Sequence, residues 1–355
     1  MDFNPRKIMI ITYLRSSSYG THSMCPQQYF FEYVLGWKSP SNKKADKGTI
    51  CHKVLEILAH IKLCSQNKEK IYTDDILGDI NIKKYDIVDI SNRVYEYYTS
   101  LFTHHVWENK DLKDCILWVN KALTEHNGTF DPRNRDILQP EQRFDIVIEK
   151  PWAKFKYKTP TENLEGYLAI KGTIDLITRV NEDTIEVIDW KTGRRLDWAT
   201  GEEKTLAKLQ DDPQLRIYHY AVSKLYPDIN HIMITINFIN DGGAFTICYD
   251  KKDLSKTEDM IRHKFDKIKN TKTPELNKSW KCNKLCHFGK TTFENTNILP
   301  ILEYRGGQLV QVDKPMTKCE QVKHDIELKG IDNVIDQYTV SGYNIGSYKP
   351  PGSAE

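Results

Sequence analysis

Long apolar runs are missing from this chain of 355 residues, and so is a pronounced excess of charge of either sign. The N-terminal apolar patch, Ile8 to Leu14, is far shorter than the roughly 20 residues a membrane-spanning helix needs, and Arg15 closes it. It also lacks the small-residue cleavage site of a secretory signal, so we expect a cytoplasmic protein with no membrane partner. The formal net charge is only +2, so bulk charge announces no nucleic-acid partner; one would have to meet a local basic surface. The 8 cysteines follow no disulfide-like rhythm, which agrees with a reducing compartment. With 39% hydrophobic and 28% charged residues, the composition is that of an ordinary globular chain. It is long enough for one large domain with insertions, or for two.

The most informative stretch runs from Gly166 to Gly193, GYLAIKGTIDLITRVNEDTIEVIDWKTG. Tyr167 to Val180 and Thr184 to Lys191 are rich in β-branched residues, and Asn181-Glu182-Asp183 between them is turn chemistry, which predicts an antiparallel hairpin. If Val180 and Thr184 flank a three-residue loop, Asp175 lies opposite Asp189 with β-carbons about 5 Å apart. Lys191, two residues beyond Asp189, projects from the same face. Like carboxylates repel and buried charge is costly, so the three residues make sense around a divalent cation. They also fit a solvated hairpin face with an ordinary Asp–Lys pair. Against that stand Ile185, Val187, Ile188 and Trp190, which leave the strand few polar positions and suggest burial on both sides.

Earlier in the chain, Tyr13 to His22 is a polar lead-in, and Cys25-Pro26 opens an aromatic helical pattern through Tyr29, Phe30, Tyr33, Val34 and Trp37. Pro40 to Lys47 reads as a Lys-rich loop. From Thr49, placed as an N-cap, Ile50, Val54, Leu55, Leu58 and Ile61 form one apolar stripe, with His52 and Glu56 a turn apart on its flank. His52 there suits a satisfied core histidine as well as a metal ligand. Residues 65–140 read as a helical insertion, with helices over Ile87 to Phe102 and Leu112 to Leu123, where nothing converges chemically and Tyr95, Tyr97 and Tyr98 serve packing. Arg133 to Arg143 reads as linker and Phe144 to Lys150 as a strand, with Glu149 as a rim or outer-shell acid. Further on, Leu206 to Leu225 is helical with Pro213 in a first turn. Ile232 to Ile239 and Ala244 to Tyr249 form a second hairpin, and Leu254 to Ile268 another helix.

Five motifs in order resemble the RecB-type branch of the PD-(D/E)xK nuclease superfamily, which includes CRISPR-associated exonucleases and many phage nucleases. They are Cys25-Pro26 with following aromatics, Gly48-Thr49-x-x-His52, Gly172-Thr173-Ile174-Asp175, Asp189-Trp190-Lys191-Thr192-Gly193 and Gln214-x-x-x-Tyr218. The resemblance spans roughly Ser23 to Phe288. It implies a restriction-endonuclease-like α/β fold, a central mixed sheet flanked by helices. It further implies His52, Asp175 and Asp189 as ligands of Mg²⁺ or Mn²⁺, Lys191 as the catalytic lysine, and Gln214 and Tyr218 on the supporting helix. The expected function is metal-dependent hydrolysis of DNA, as an exonuclease more than an endonuclease, in recombination, replication or repair, in a phage-like setting and alongside recombination or replication proteins. The alternative is a catalytically inactive DNA-binding scaffold.

Many relatives hold an iron–sulfur cluster between an N-terminal cysteine and a later group. Cys25 stands at the first position, and Cys282 and Cys286 resemble the later group, although their spacing is C-x3-C and no cysteine follows soon after Phe288. A four-cysteine site needs Cys319; zinc, the lesser expectation, would use His287. The expected organisation is residues 1–64 with Cys25 and the His52 helix, 65–140 as insertion, 141–294 as nuclease core and cysteine pair, and 295–355 as tail. In that tail Arg305-Gly306-Gly307 and Pro350 to Ser353 read as loop and Val322 to Val334 as helix. Substrate contact is expected from Lys191, Arg194, Arg195, Lys204, Lys208 and Arg216.

Overall fold

Strand periodicity and the three-residue turn put Ala169–Arg179 antiparallel to Thr184–Lys191, with Leu176 opposite Ile188 and Arg179 opposite Ile185. This is the register that loop counting predicts, and it extrapolates to Asp175 opposite Asp189. The computed structural model describes residues 9–158, 163–197, 200–294 and 298–343; the Pro350 to Ser353 loop lies outside them. The chain divides into two compact units, Ser41–Ile146 with Lys171–Glu258, and Met1–Pro40 with Val147–Ile170 and Asp259–Glu355.

The unit containing the hairpin is built on a mixed sheet. Asp136–Val147 pairs with Ala169–Arg179, which pairs with Thr184–Lys191; His231–Phe238 and then Gly243–Asp250 follow. Thr184–Lys191 and His231–Phe238 run parallel, and the second hairpin closes the sheet antiparallel. One face of the first hairpin offers Leu176, Ile188 and Trp190 to a core shared with Ile50, Val54, Leu55 and Leu58 of the Lys43–Gln66 helix. The Pro213–Leu225 helix packs against His231–Phe238, with Pro213 in its first turn and Asp212 capping it. The fold class is therefore the expected mixed sheet flanked by helices.

Four local expectations change. The helix expected from Thr49 begins at Lys43, because Asn42 supplies the cap by accepting from the Ala45 amide at 2.9 Å. Gly48, read as the end of a loop, is inside that helix; a β-carbon there would meet Thr192 Oγ1 at 2.7 Å, so only glycine allows this approach. The insertion also carries a hairpin, Ile71–Asp74 with Gly78–Asn81, and its helices Ile87–Leu101 and Asn109–Thr124 feed Ile90, Val94, Cys115 and Val119 into the shared core. Residues 133–143 are mostly not linker, since the strand begins at Asp136.

In the other unit, Tyr13–Leu14 pairs in parallel with Ala169–Ile170. The aromatic pattern after Pro26 forms a short α-helix that opens into a π-helix over Phe30–Val34. Phe31 stacks on Trp37 at 5.0 Å and meets Phe288 edge-on at 4.9 Å. The tail contributes a hairpin, Ile298–Arg305 with Gln308–Pro315 turning at Gly306-Gly307, and helices Lys318–Lys329 and Ile331–Tyr338. Trp37 Nε1 donates to the Tyr338 carbonyl at 2.8 Å and Gln27 Nε2 to the Cys319 carbonyl at 2.7 Å, tying early and late residues within this unit.

Gly172 has a steric role of the same kind as Gly48: a β-carbon there would stand 2.5 Å from the Phe144 ring. Gly172→Ala is expected to destabilise the chain by about 1–3 kcal/mol through overpacking, and Phe144→Leu in the same chain should recover part of the loss. Denaturant unfolding of the single and double variants measures both effects.

Candidate active site

Alternation along the hairpin sends Asp175 and Asp189 away from the Leu176, Ile188 and Trp190 face. Asp189 is 1% exposed at its side chain and is gripped from the Pro213–Leu225 helix. Gln214 Nε2 donates to Asp189 Oδ1 at 3.0 Å and to the Tyr218 hydroxyl at 2.8 Å. The Tyr218 hydroxyl lies 3.1 Å from the same Oδ1 and 2.9 Å from the Thr173 carbonyl. Gln214 and Tyr218 are one helical turn apart, which is why both reach one oxygen. Lys191 Nζ stands 2.6 Å from Asp189 Oδ2 as an ion pair, and it is the partner of that buried oxygen.

Asp175 is held differently. Its Oδ2 accepts from the Trp190 amide at 2.9 Å and lies 3.2 Å from His52 Nδ1. The Lys43–Gln66 helix thus delivers His52 to the carboxylate that the sequence pattern suggests. Glu56 does not share this point; it pairs with Lys53 at 2.9 Å, and Lys53 also meets Asp74 at 3.0 Å.

The two aspartates respond oppositely to this environment. Burial pushes the Asp189 carboxyl up and the Asp175 charge adds to it, with the Lys191 ammonium opposing both. Burial acts on Asp175 as well, but the charge and hydrogen bond of His52, the charge of Lys191 and the Trp190 amide outweigh it and hold Asp175 below the usual carboxylate range. Burial would lower Lys191 and His52, yet the facing carboxylates raise both. Lys191 is therefore an ammonium at neutral pH, fit to neutralise or position and not to accept a proton.

One acid of the cluster was not anticipated. Glu141 lies mid-strand with φ of 45°, a left-handed conformation rare for a residue with a side chain. Burial pushes its carboxyl up to about 7, with the charges of Asp175 and Glu56 adding to the rise and those of His52 and Arg143 opposing it. Glu149, the acid expected near this strand, is exposed. The only signal for Glu141 was an acid after Pro140, just ahead of the alternating run from Phe144. Glu186, another buried acid in the Asp189 strand, is fully occupied by Arg135 and by the Thr235 hydroxyl, which makes it structural.

The anticipated cations are mostly engaged. Arg195 pairs with Glu203, Lys204 with Asp212 and Lys208 with Glu202. Lys208 and Glu202 are exposed, so a phosphate can compete for that lysine. Arg216 is excluded as a substrate contact: it is 4% exposed, bonded to Asp211 and stacked over Tyr249. Arg194 is exposed.

The donor atoms of His52, Asp175 and Asp189 do not all lie within 4.8 Å of one another. Mg²⁺ tolerates this, since it binds through one or two carboxylates and keeps several waters. The donor chemistry fits: two buried carboxylates on one face, with an imidazole against one and an ammonium against the other.

A family model for the PD-(D/E)XK nuclease superfamily matches residues 16–290. The chain belongs to that superfamily. Among solved structures, one from Eubacterium rectale described as a "Putative exonuclease" aligns over 78% of this chain and 86% of its own at 10% identity with a TM-score of 0.43, a likeness too distant to carry function. No curated protein sequence matches. No helix among the described residues is long and apolar enough to cross a membrane.

Glu141 also sets a pH dependence. Its folded value of about 7 exceeds the ordinary 4.5, so the folded chain holds this proton more tightly than the unfolded chain between those values, and stability falls as pH rises through that window. Glu141→Gln mimics the protonated acid. In the presence of a chelator it should raise Tm over the parent at about pH 8, with the difference vanishing near pH 4. Thermal melts at both values test the sign.

Proposed function

We propose that this chain is a divalent-metal-dependent deoxyribonuclease, acting from DNA ends. The observation that carries the proposal is Asp189: a buried carboxylate clamped at Oδ1 by Gln214 and Tyr218 and met at Oδ2 by the Lys191 ammonium at 2.6 Å, on the face it shares with Asp175. His52, Asp175 and Asp189 are the residues that would hold Mg²⁺ or Mn²⁺. When bound, such an ion lowers the pKa of water and stabilises charge on a phosphate. Lys191, held charged by the two aspartates, steadies the negative charge that grows on the scissile phosphate and orients the attacking water. Gln214 and Tyr218 fix Asp189. The end-directed preference, DNA as substrate and a role in recombination, replication or repair rest on the five-motif resemblance.

The test uses single- and double-stranded DNA labelled at either end, with Mg²⁺ or Mn²⁺. Asp189→Ala and Lys191→Ala are expected to lower kcat by about 10²–10⁴-fold. Gln214→Ala should cost about 10–100-fold and raise the Mg²⁺ requirement, as loss of a group orienting a ligand does. A folded parent chain that binds DNA and cleaves none would favour the inactive scaffold; cleavage that survives Asp189→Ala would place the centre elsewhere.

An iron–sulfur cluster at Cys25, Cys282, Cys286 and Cys319 is the second part of this reading. Support comes from the thiols' mutual influence within one unit. Burial raises Cys319 most, and the charges of Cys25, Cys286 and Cys282 add to it; burial likewise raises Cys286, with Cys25 and Cys282 adding. The Gly289 and Phe288 amides hydrogen-bond to the Cys286 sulfur, a common way of stabilising a cluster-bound thiolate. Zinc fits less well: sulfurs around one zinc lie about 3.8 Å apart, and no three of these thiols fall within 4.8 Å of one another. Anaerobic purification should yield a coloured protein containing iron, and Cys25→Ser or Cys319→Ser should lose it. Zinc retained in place of iron, or neither metal, overturns the assignment.

A further inference from the structure

Residues 65–140 were expected to hold no converging chemistry, yet His104 and His105, on the loop between the Ile87–Leu101 and Asn109–Thr124 helices, meet Asp46 from the first turn of the Lys43–Gln66 helix. We propose that Asp46, His104 and His105 form a second metal site, apart from the carboxylate centre, for a divalent transition ion of the Zn²⁺ class. The proposal does not rest on the nuclease reading.

Among the described residues this is the one group of three or more His, Cys, Asp or Glu whose ligand atoms all lie within 4.8 Å of one another. Both imidazoles aim the same atom at the same oxygen: His105 Nε2 lies 2.8 Å and His104 Nε2 3.6 Å from Asp46 Oδ2. Neighbouring ligands on a tetrahedral zinc, with bonds of about 2.0–2.2 Å, stand about 3.3–3.5 Å apart, so the observed separations bracket the required one and need shifts of only tenths of an ångström. Two imidazoles with one carboxylate favour zinc and its neighbours; Mg²⁺ prefers an all-oxygen shell.

The surroundings suit a held ion. Asp46 is the buried anchor, with its side chain 5% exposed, while His105 is 14% and His104 41% exposed, leaving an entry from the His104 side and room for water in the remaining position. Ser41 Oγ lies 2.7 Å from Asp46 Oδ2 and 3.2 Å from His104 Nε2; an ion on that nitrogen would displace the second contact, since an imidazole nitrogen holds one proton or one metal. Trp107 packs edge-on against the His105 ring at 5.6 Å. The nearby cations are offset: Lys43, which donates to the Val106 carbonyl, pairs with Asp111, and Lys47 pairs with Asp111 at 3.3 Å and Asp114 at 2.8 Å. An ion here would pin the 102–107 loop to the helix that carries His52 six residues beyond Asp46.

The experiment compares the full parent chain with a His104→Ala/His105→Ala variant, both in excess Mg²⁺, by equilibrium dialysis against Zn²⁺ and metal analysis. Because the carboxylate centre and the cysteines are common to both, the expected result is one fewer equivalent of zinc in the variant, with a larger Zn²⁺-dependent rise in Tm in the parent than in the variant. Equal stoichiometry in the two folded chains overturns the site and leaves the three residues as a hydrogen-bonded clasp. If the variant does not fold, crystals of the parent grown with Zn²⁺ decide. An anomalous peak within about 2.3 Å of both Nε2 atoms supports the site, and its absence there overturns it.

Discussion

Two carboxylates on one face of a hairpin repel each other, and the surrounding structure answers that repulsion. Asp175 and Asp189 come together because the Asn181–Asp183 turn fixes the register, and the backbone cannot separate them without slipping every apolar side chain of both strands to the wrong face. Lys191 stands against one acid and His52 against the other, and the opposite responses of the two carboxyl groups follow from that arrangement. A divalent ion would meet the same demand with more charge, which is why a cluster so poor as a core is coherent as a metal centre.

The hairpin was legible because it depends on spacing along a short stretch, a turn of known length and a two-residue alternation; the one-turn separation of Gln214 and Tyr218 equally fits a solvent-facing helix edge, and only the five-motif resemblance pointed to Asp189. The start of the Lys43–Gln66 helix was not. Its first turn is lysine-rich and Gly48 looks like a loop residue, but the glycine is there for the close approach of Thr192, a residue more than a hundred positions away. Glu141 was hidden for a related reason. Its left-handed backbone interrupts the alternation that marks a strand, so the segment read as linker. Asp46 with His104 and His105 joins positions 59 apart or nearly so, and no local pattern announces such a meeting.

Charge placement shows the same limit. The basic residues after Gly193 looked like a phosphate-binding surface, but their acids are interleaved with them: Glu202, Glu203, Asp211 and Asp212 take up Lys208, Arg195, Arg216 and Lys204. The Lys208–Glu202 pair is exposed on both sides, so it is weak and can yield to a phosphate. Arg216 cannot, because leaving Asp211 would strand a guanidinium that is already almost without solvent.

The two aspartates are also unequal in what can move. Asp189 Oδ1 is fixed by two side chains of one helix, and Tyr218 is itself anchored to the Thr173 carbonyl, so displacing Asp189 means disturbing the helix and the strand together. Asp175 is tied by one backbone amide and by His52, whose ring is 30% exposed. If a cation were held by this cluster, the adjustment would fall on the Asp175–His52 contact, the less constrained of the two. Asp189 is thus the fixed member of the pair, and in the proposed reaction Gln214 and Tyr218 would act only through it.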